Sequence, residues 1–163
     1  MEKADVIEKV RSFLEYAGHR YDYDPKEENI KTKIGLNCSL KTADVFINFQ
    51  DSGYNVWALS PTVPRGTRID EMRVFLSMAN YCQPMGNFDV DHESGIISFK
   101  CWVSTWWLEK LPRDAIAESL YTPTIKLEQY GDSIQAIALG LSDAENEIKN
   151  VEANSMNKMN FNK

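Results

Sequence analysis

Asp89, Asp91 and Glu93 fall on alternate positions, the spacing at which a calcium loop offers its first carboxylate ligands. The glycine that such a loop needs comes one place late, at Gly95, and Lys100 stands where the closing acid belongs. The run therefore reads as an acidic hairpin turn whose short polar side chains bond their own backbone. Gly131-Asp132-Ser133-Ile134-Gln135 opens like the nucleophile elbow of a serine hydrolase, but it ends in glutamine, follows no strand and lies on a helical apolar seam. Cys82 and His92 could form a thiol nucleophile and its base if the fold joined them, yet nothing near Cys82 would activate a thiolate. A small buried hydrophobe is the simpler reading of that cysteine. His19 and His92 are the only histidines, and each is expected in a solvated loop, so a histidine-rich metal site lacks ligands and no metal or cofactor is expected.

Arg65, Arg68 and Arg73 cluster about the start of a predicted helix, where guanidinium groups and helix-end amides could together meet an anion. They are the candidate anion-binding residues. A cleft near Arg65, Arg68 and Cys82 is the site that an enzyme or small-ligand domain would use. No phosphate-cradling glycine pattern accompanies the arginines, and a solvated surface accounts for them.

Trp57, Trp102, Trp106 and Trp107 are more informative. If Phe99 and Cys101 face a helical layer, strand alternation turns Trp102 to the opposite side of the sheet, and Phe46 lies opposite Val45 and Ile47 in the same way. Phe46, Trp57 and Trp102 are therefore the expected interaction patch. The competing account is that the chain after Pro123 folds back over that face.

The elements that must position these residues follow from apolar periodicity. Val6, Ile7, Val10, Phe13, Leu14 and Ala17 draw one stripe down a helix that Gly18 can end. His19 to Asn29 has no steady period and reads as a loop. Ile34, Leu36 and Cys38 alternate, as do Val45, Ile47 and Phe49, so two strands are expected with a reversal at 39–42. Asp51-Ser52-Gly53 turns into a third strand over 54–60 that Pro61 and Pro64 stop. Thr67 or Asp70 can cap a second helix carrying Ile69, Met72, Phe75, Leu76 and Ala79, before Phe88 to Val90 and Ile97 to Val103 form a hairpin. A helical seam runs from Ile116 to Leu141, with a kink or restart expected at Pro123 and Thr122 as its cap. Ser142-Asp143-Ala144-Glu145 reads as a capping box for a short last helix toward Val151.

The expected fold class is α+β, a two-layer antiparallel sheet with helices in the order α-β-β-β-α-β-β-α, forming a single domain over 1–151 with a flexible polar tail over 152–163. The chain of 163 residues is 43% hydrophobic and 26% charged, enough for a core without a disulfide or metal staple. A net charge of −6 disfavours nucleic acid. Three widely spaced cysteines, a charged Met1-Glu2-Lys3-Ala4-Asp5 start and no apolar run of membrane length lead to the expectation of a cytoplasmic protein that does not engage membranes.

This element order resembles the type III secretion chaperone-like fold, and more specifically the YbjN family of bacterial proteins, described as sensory transduction regulators. The residues that carry the resemblance are the helix from Ile69 to Tyr81, then Gly86-Asn87-Phe88-Asp89-Val90-Asp91 leading through Ser94-Gly95 into Ile96-Ile97-Ser98-Phe99, and the helix ending Ala136-Ile137-Ala138-Leu139-Gly140-Leu141-Ser142. They span most of the chain and are turn and core features. The resemblance implies architecture, supplies no catalytic motif, and implies dimers. The expected function is thus that of a non-enzymatic, chaperone-like or regulatory protein-binding domain whose partner is another protein or a second copy of itself.

Overall fold

The computed structural model describes residues 1–81, 83–106 and 110–160, with the backbone alone for 156–160. Its elements run α1 (Lys3–Tyr16), β1 (Tyr21–Asp24), β2 (Asn29–Gly35), β3 (Thr42–Gln50), β4 (Gly53–Leu59), α2 (Arg68–Asn80), β5 (Asn87–Val90), β6 (Ile97–Ser104), α3 (Arg113–Ala138) and α4 (Ala144–Asn160). The fold is α+β. Six strands form one antiparallel sheet in the order β1-β2-β3-β4-β6-β5, so a four-stranded meander is extended by the later hairpin.

One face of the sheet is the core. Ile30, Val45, Ile47, Tyr54, Val56 and Phe99 are all buried there, as period-two alternation requires. Helix α3 packs on β3, β4 and β6, α1 on α3 and β3, α2 on β5, and α4 against α2 and α3. Phe88 is the centre of an aromatic cluster, edge-on to Phe99 at 4.8 Å and to Tyr130 at 5.0 Å. Tyr54 is 1% exposed. Its hydroxyl meets Ser119 Oγ at 2.8 Å, and Ser119 in turn donates to the Ile116 carbonyl.

Four expectations need correction. The stretch read as a loop after α1 contains β1, which pairs with β2 in the register Tyr21 to Thr32 and Tyr23 to Ile30. The next strand begins at Asn29 and ends at Gly35, so Leu36 and Cys38 lie in the following loop. They are buried nonetheless, because α3 holds that loop by its amides: Asn37 N–H donates to Glu128 at 2.7 Å and Ser39 N–H to Asp132 Oδ1 at 2.7 Å. An alternating pattern thus arose from a loop packed under a helix. Third, α3 passes through Pro123 as one helix with no restart at Thr122. Proline there removes only the amide that would have met the Ser119 carbonyl, and Pro123 itself is buried. Fourth, α4 does not stop at Val151 but continues to Asn160, with Val151 buried and Ser155 Oγ accepting from Gln129 Nε2 of α3 at 3.1 Å.

Candidate functional site

The opposite face of the sheet carries no helix among the described residues. Its outward side chains fall into transverse rows fixed by the register. One row reads Asp22, Lys31, Phe46, Trp57, Lys100, Asn87 from β1 to β5. On one side of it lies Lys33, Asp44, Leu59, Ser98, Asp89. On the other lies Asn29, Asn48, Asn55, Trp102.

Aromatic side chains occupy the middle of this face. Phe46 and Trp57 are cross-strand partners with ring centroids 5.7 Å apart, and Lys31 Nζ lies 5.9 Å from the Phe46 ring. Both rings are half-buried, each partly covering the other. Trp102 is 42% exposed. It lies beside Gly53: a Cβ on that glycine would come within 2.9 Å of Trp102 Cζ2 and 2.0 Å of the Val103 carbonyl. A shallow groove of ≈ 430 Å³ follows Trp57, Leu59 and Ser98 to Asp89 and the exposed Ile96. Charge on the face is mixed, with Lys31, Lys33 and Lys100 interspersed among Asp22, Asp44 and Asp89. Lys33 pairs with Asp44 at 3.1 Å.

The sheet edges are closed by different means. On β5 the Asn80 amide takes the place of a neighbouring strand: its Nδ2 donates to the Phe88 carbonyl at 2.9 Å, and Phe88 N–H donates to its Oδ1 at 2.7 Å. On β1 the edge is four residues long and carries Asp22 and Asp24, a short charged edge of the kind that resists strand addition.

The other described candidate residues lie away from this face. Arg73 donates to Asp70 Oδ1 at 2.9 Å and approaches His92 Nδ1 at 3.1 Å. Arg68 lies against Gly140, and Arg65 is exposed in the loop before α2. The three arginines are not brought to one point. Helix α2 begins beside Thr67 without using its hydroxyl as a cap. Cys82 and Trp107 lie outside the described residues, and Trp106 is exposed. His19, expected to be solvated, is half-buried and shares a hydrogen bond of 2.8 Å with the Tyr121 hydroxyl.

The catalytic look-alikes have structural work. Asp91 Oδ1 accepts from the backbone of Glu93 and Ser94 and from the Ser94 hydroxyl, bonds that hold its carboxyl below the usual carboxylate range. Gly131 to Gln135 is helical, and a Cβ on Gly131 would lie 2.5 Å from Cys38 Sγ. Ser39 N–H, donating to Asp132, likewise lowers that acid. Burial pushes the Cys101 thiol up to about 11 and raises that of Cys38. Among the described residues no group of three His, Cys, Asp or Glu side chains is placed to hold a metal, and no helix is long and apolar enough to cross a membrane. A second groove of ≈ 520 Å³ between α1 and the start of α3 is lined by Asp5, Glu8, Lys9 and Arg113 around Phe13 and Ile116.

Sequence reasoning missed Asn80 and the lysines around the aromatic patch. The lysines were available from alternation, since Lys31, Lys33 and Lys100 share the parity of Phe46, Trp57 and Trp102 once the register is known. Compared with known proteins, the chain matches no family model and no curated sequence.

Proposed function

We propose that the chain is a non-enzymatic protein-binding domain, chaperone-like or regulatory, that works in the cytoplasm as a homodimer. The observation that carries this reading is an aromatic centre of Phe46, Trp57 and Trp102 on a sheet face that no described helix covers. Burying each large apolar side chain stabilises a complex by about 1.5 to 3 kcal/mol, so covering this face is favourable. The mixed charge around it suits a protein surface better than a polyanion, whose phosphates Asp22, Asp44 and Asp89 would repel. Ser133 lies within α3, Asp91 holds a turn and His92 meets Arg73, which supports binding over catalysis. The resemblance of the residues between Ile69 and Ser142 to the YbjN family suggests the same role.

Hydroxyl-radical footprinting across a dilution series tests the surface. Oxidation of Phe46, Trp57 and Trp102 is expected to fall as concentration rises, while Tyr81 on the helical side, 90% exposed, keeps its rate. Equal labelling of the three aromatics at every concentration and in cell extract would refute the reading.

A further inference from the structure

The open face is self-complementary about one particular axis. Resting on the reading of this face as the interaction surface, we infer that its partner is a second copy whose two-fold axis runs along β4. Two sheets packed face to face keep their strands roughly aligned about 10 Å apart. A two-fold axis parallel to the strands then reverses the order of strands while keeping each transverse row opposite itself.

Placed over β4, the axis sets Lys33 opposite Asp89 of the second copy and Lys100 opposite Phe46, in cation–π range. Trp57 and Leu59 meet their own counterparts on the axis. Asn48 faces Trp102, offering an amide oxygen to the indole N–H. Lys33, already 3.1 Å from Asp44 of its own sheet, becomes a bridge between two carboxylates. Its long stem tolerates the displacement that sheet twist introduces two strands from the axis.

The neighbouring placements fail on charge. Moving the axis between β3 and β4 sets Lys31 over Lys100, and moving it between β4 and β6 sets Asp44 over Asp89. An axis on β3 sets Asp44 over Asp44. An axis across the strands puts every residue of the central row over itself, Lys31 on Lys31 and Lys100 on Lys100. Like charges apposed across an interface are strongly disfavoured, so among the axes over the centre of the face the pattern favours the one on β4.

Charge reversal tests it. Lys33→Glu and Asp89→Lys each place two like-charged pairs in the dimer, and each is expected to raise its dissociation constant about tenfold. The double variant K33E/D89K restores opposite pairs and is expected to return within about threefold of wild type. Additive losses in the double variant, or no loss in either single one, would overturn the axis. If Trp102→Glu still dissociates the dimer in that case, the open face stands as the interface in another register. A wild type that is monomeric throughout would overturn both.

Discussion

Phe46 on β3 and Trp57 on β4 are direct cross-strand partners whose rings meet at 5.7 Å, on the side of the sheet away from the four described helices. An aromatic pair of this kind contributes about 0.5 to 1.5 kcal/mol beyond its buried area, yet each ring remains only half-covered. Trp102 extends the pair toward β6, and lysines and aspartates surround it. The same alternation that fills the core with Val45, Val56 and Phe99 thus sends these three aromatics outward, and the functional reading rests on that division.

The Asn80 side chain is expected to matter more than its half-buried position suggests. Asn80→Ala leaves the N–H of Phe88 without its partner and its carbonyl with only the longer bond from Asn87 Nδ2 at 3.2 Å, at a cost of about 1 to 3 kcal/mol. Urea unfolding should show that loss, together with a rise in concentration-dependent light scattering as the β5 edge opens. An unchanged midpoint would mean that the pairing contributes nothing net.

Gly131→Ala is expected to destabilise although alanine is the better helix former. The intrinsic gain is about 0.5 to 1 kcal/mol, but the new Cβ would meet Cys38 Sγ at 2.5 Å and Leu40 Cδ1 at 3.1 Å. Such overpacking costs roughly 1 to 3 kcal/mol. A variant that melts above wild type would show that the 36–41 loop yields freely.

Tyr54 sets an alkaline limit. Burial pushes its phenol up to about 12, against 10 when exposed, with the Ser119 hydrogen bond opposing the shift. Because the folded value is raised, stability is fully present below pH 10 and declines as pH climbs from 10 toward 12. Absorbance titration at 295 nm should reveal a component that ionises together with unfolding, and Tyr54→Phe should abolish it. Its persistence in the variant would assign it to another residue.

Cys38 and Cys101 are expected to resist alkylation in the native protein at pH 8, because their raised values leave little thiolate. In a Cys82→Ser background, iodoacetamide should modify neither until denaturant is added. Melting temperature should also be the same with and without chelator and reductant. Rapid native labelling of Cys101 would contradict the packing of β6 against α3.

The α+β class, helices α1 to α3 and the β5–β6 hairpin were legible from periodicity because each buries a full stripe or alternate set. The faces were legible too, since Phe46 and Trp102 had to lie opposite Val45 and Cys101. The β1 strand was missed because four residues ending at Pro25 give too short a run, although Tyr21 and Tyr23 alternate with Asp22 and Asp24. The strand boundary near Leu36 was misread because a loop pinned by Glu128 and Asp132 imitates alternation. Those contacts span about ninety residues of chain and have no local signal. His19 fell in the same category, its partner Tyr121 being 102 residues away.

Sedimentation of the wild type and of Trp102→Glu at tens of micromolar tests the central claim most directly. Because Trp102 is 42% exposed on the open face, the variant should fold with an unchanged circular dichroism spectrum. The wild type is expected to sediment at twice the 18.7 kDa of one chain and the variant as a monomer. A wild type that sediments as a monomer, or a dimer that the folded variant leaves intact, would contradict the account.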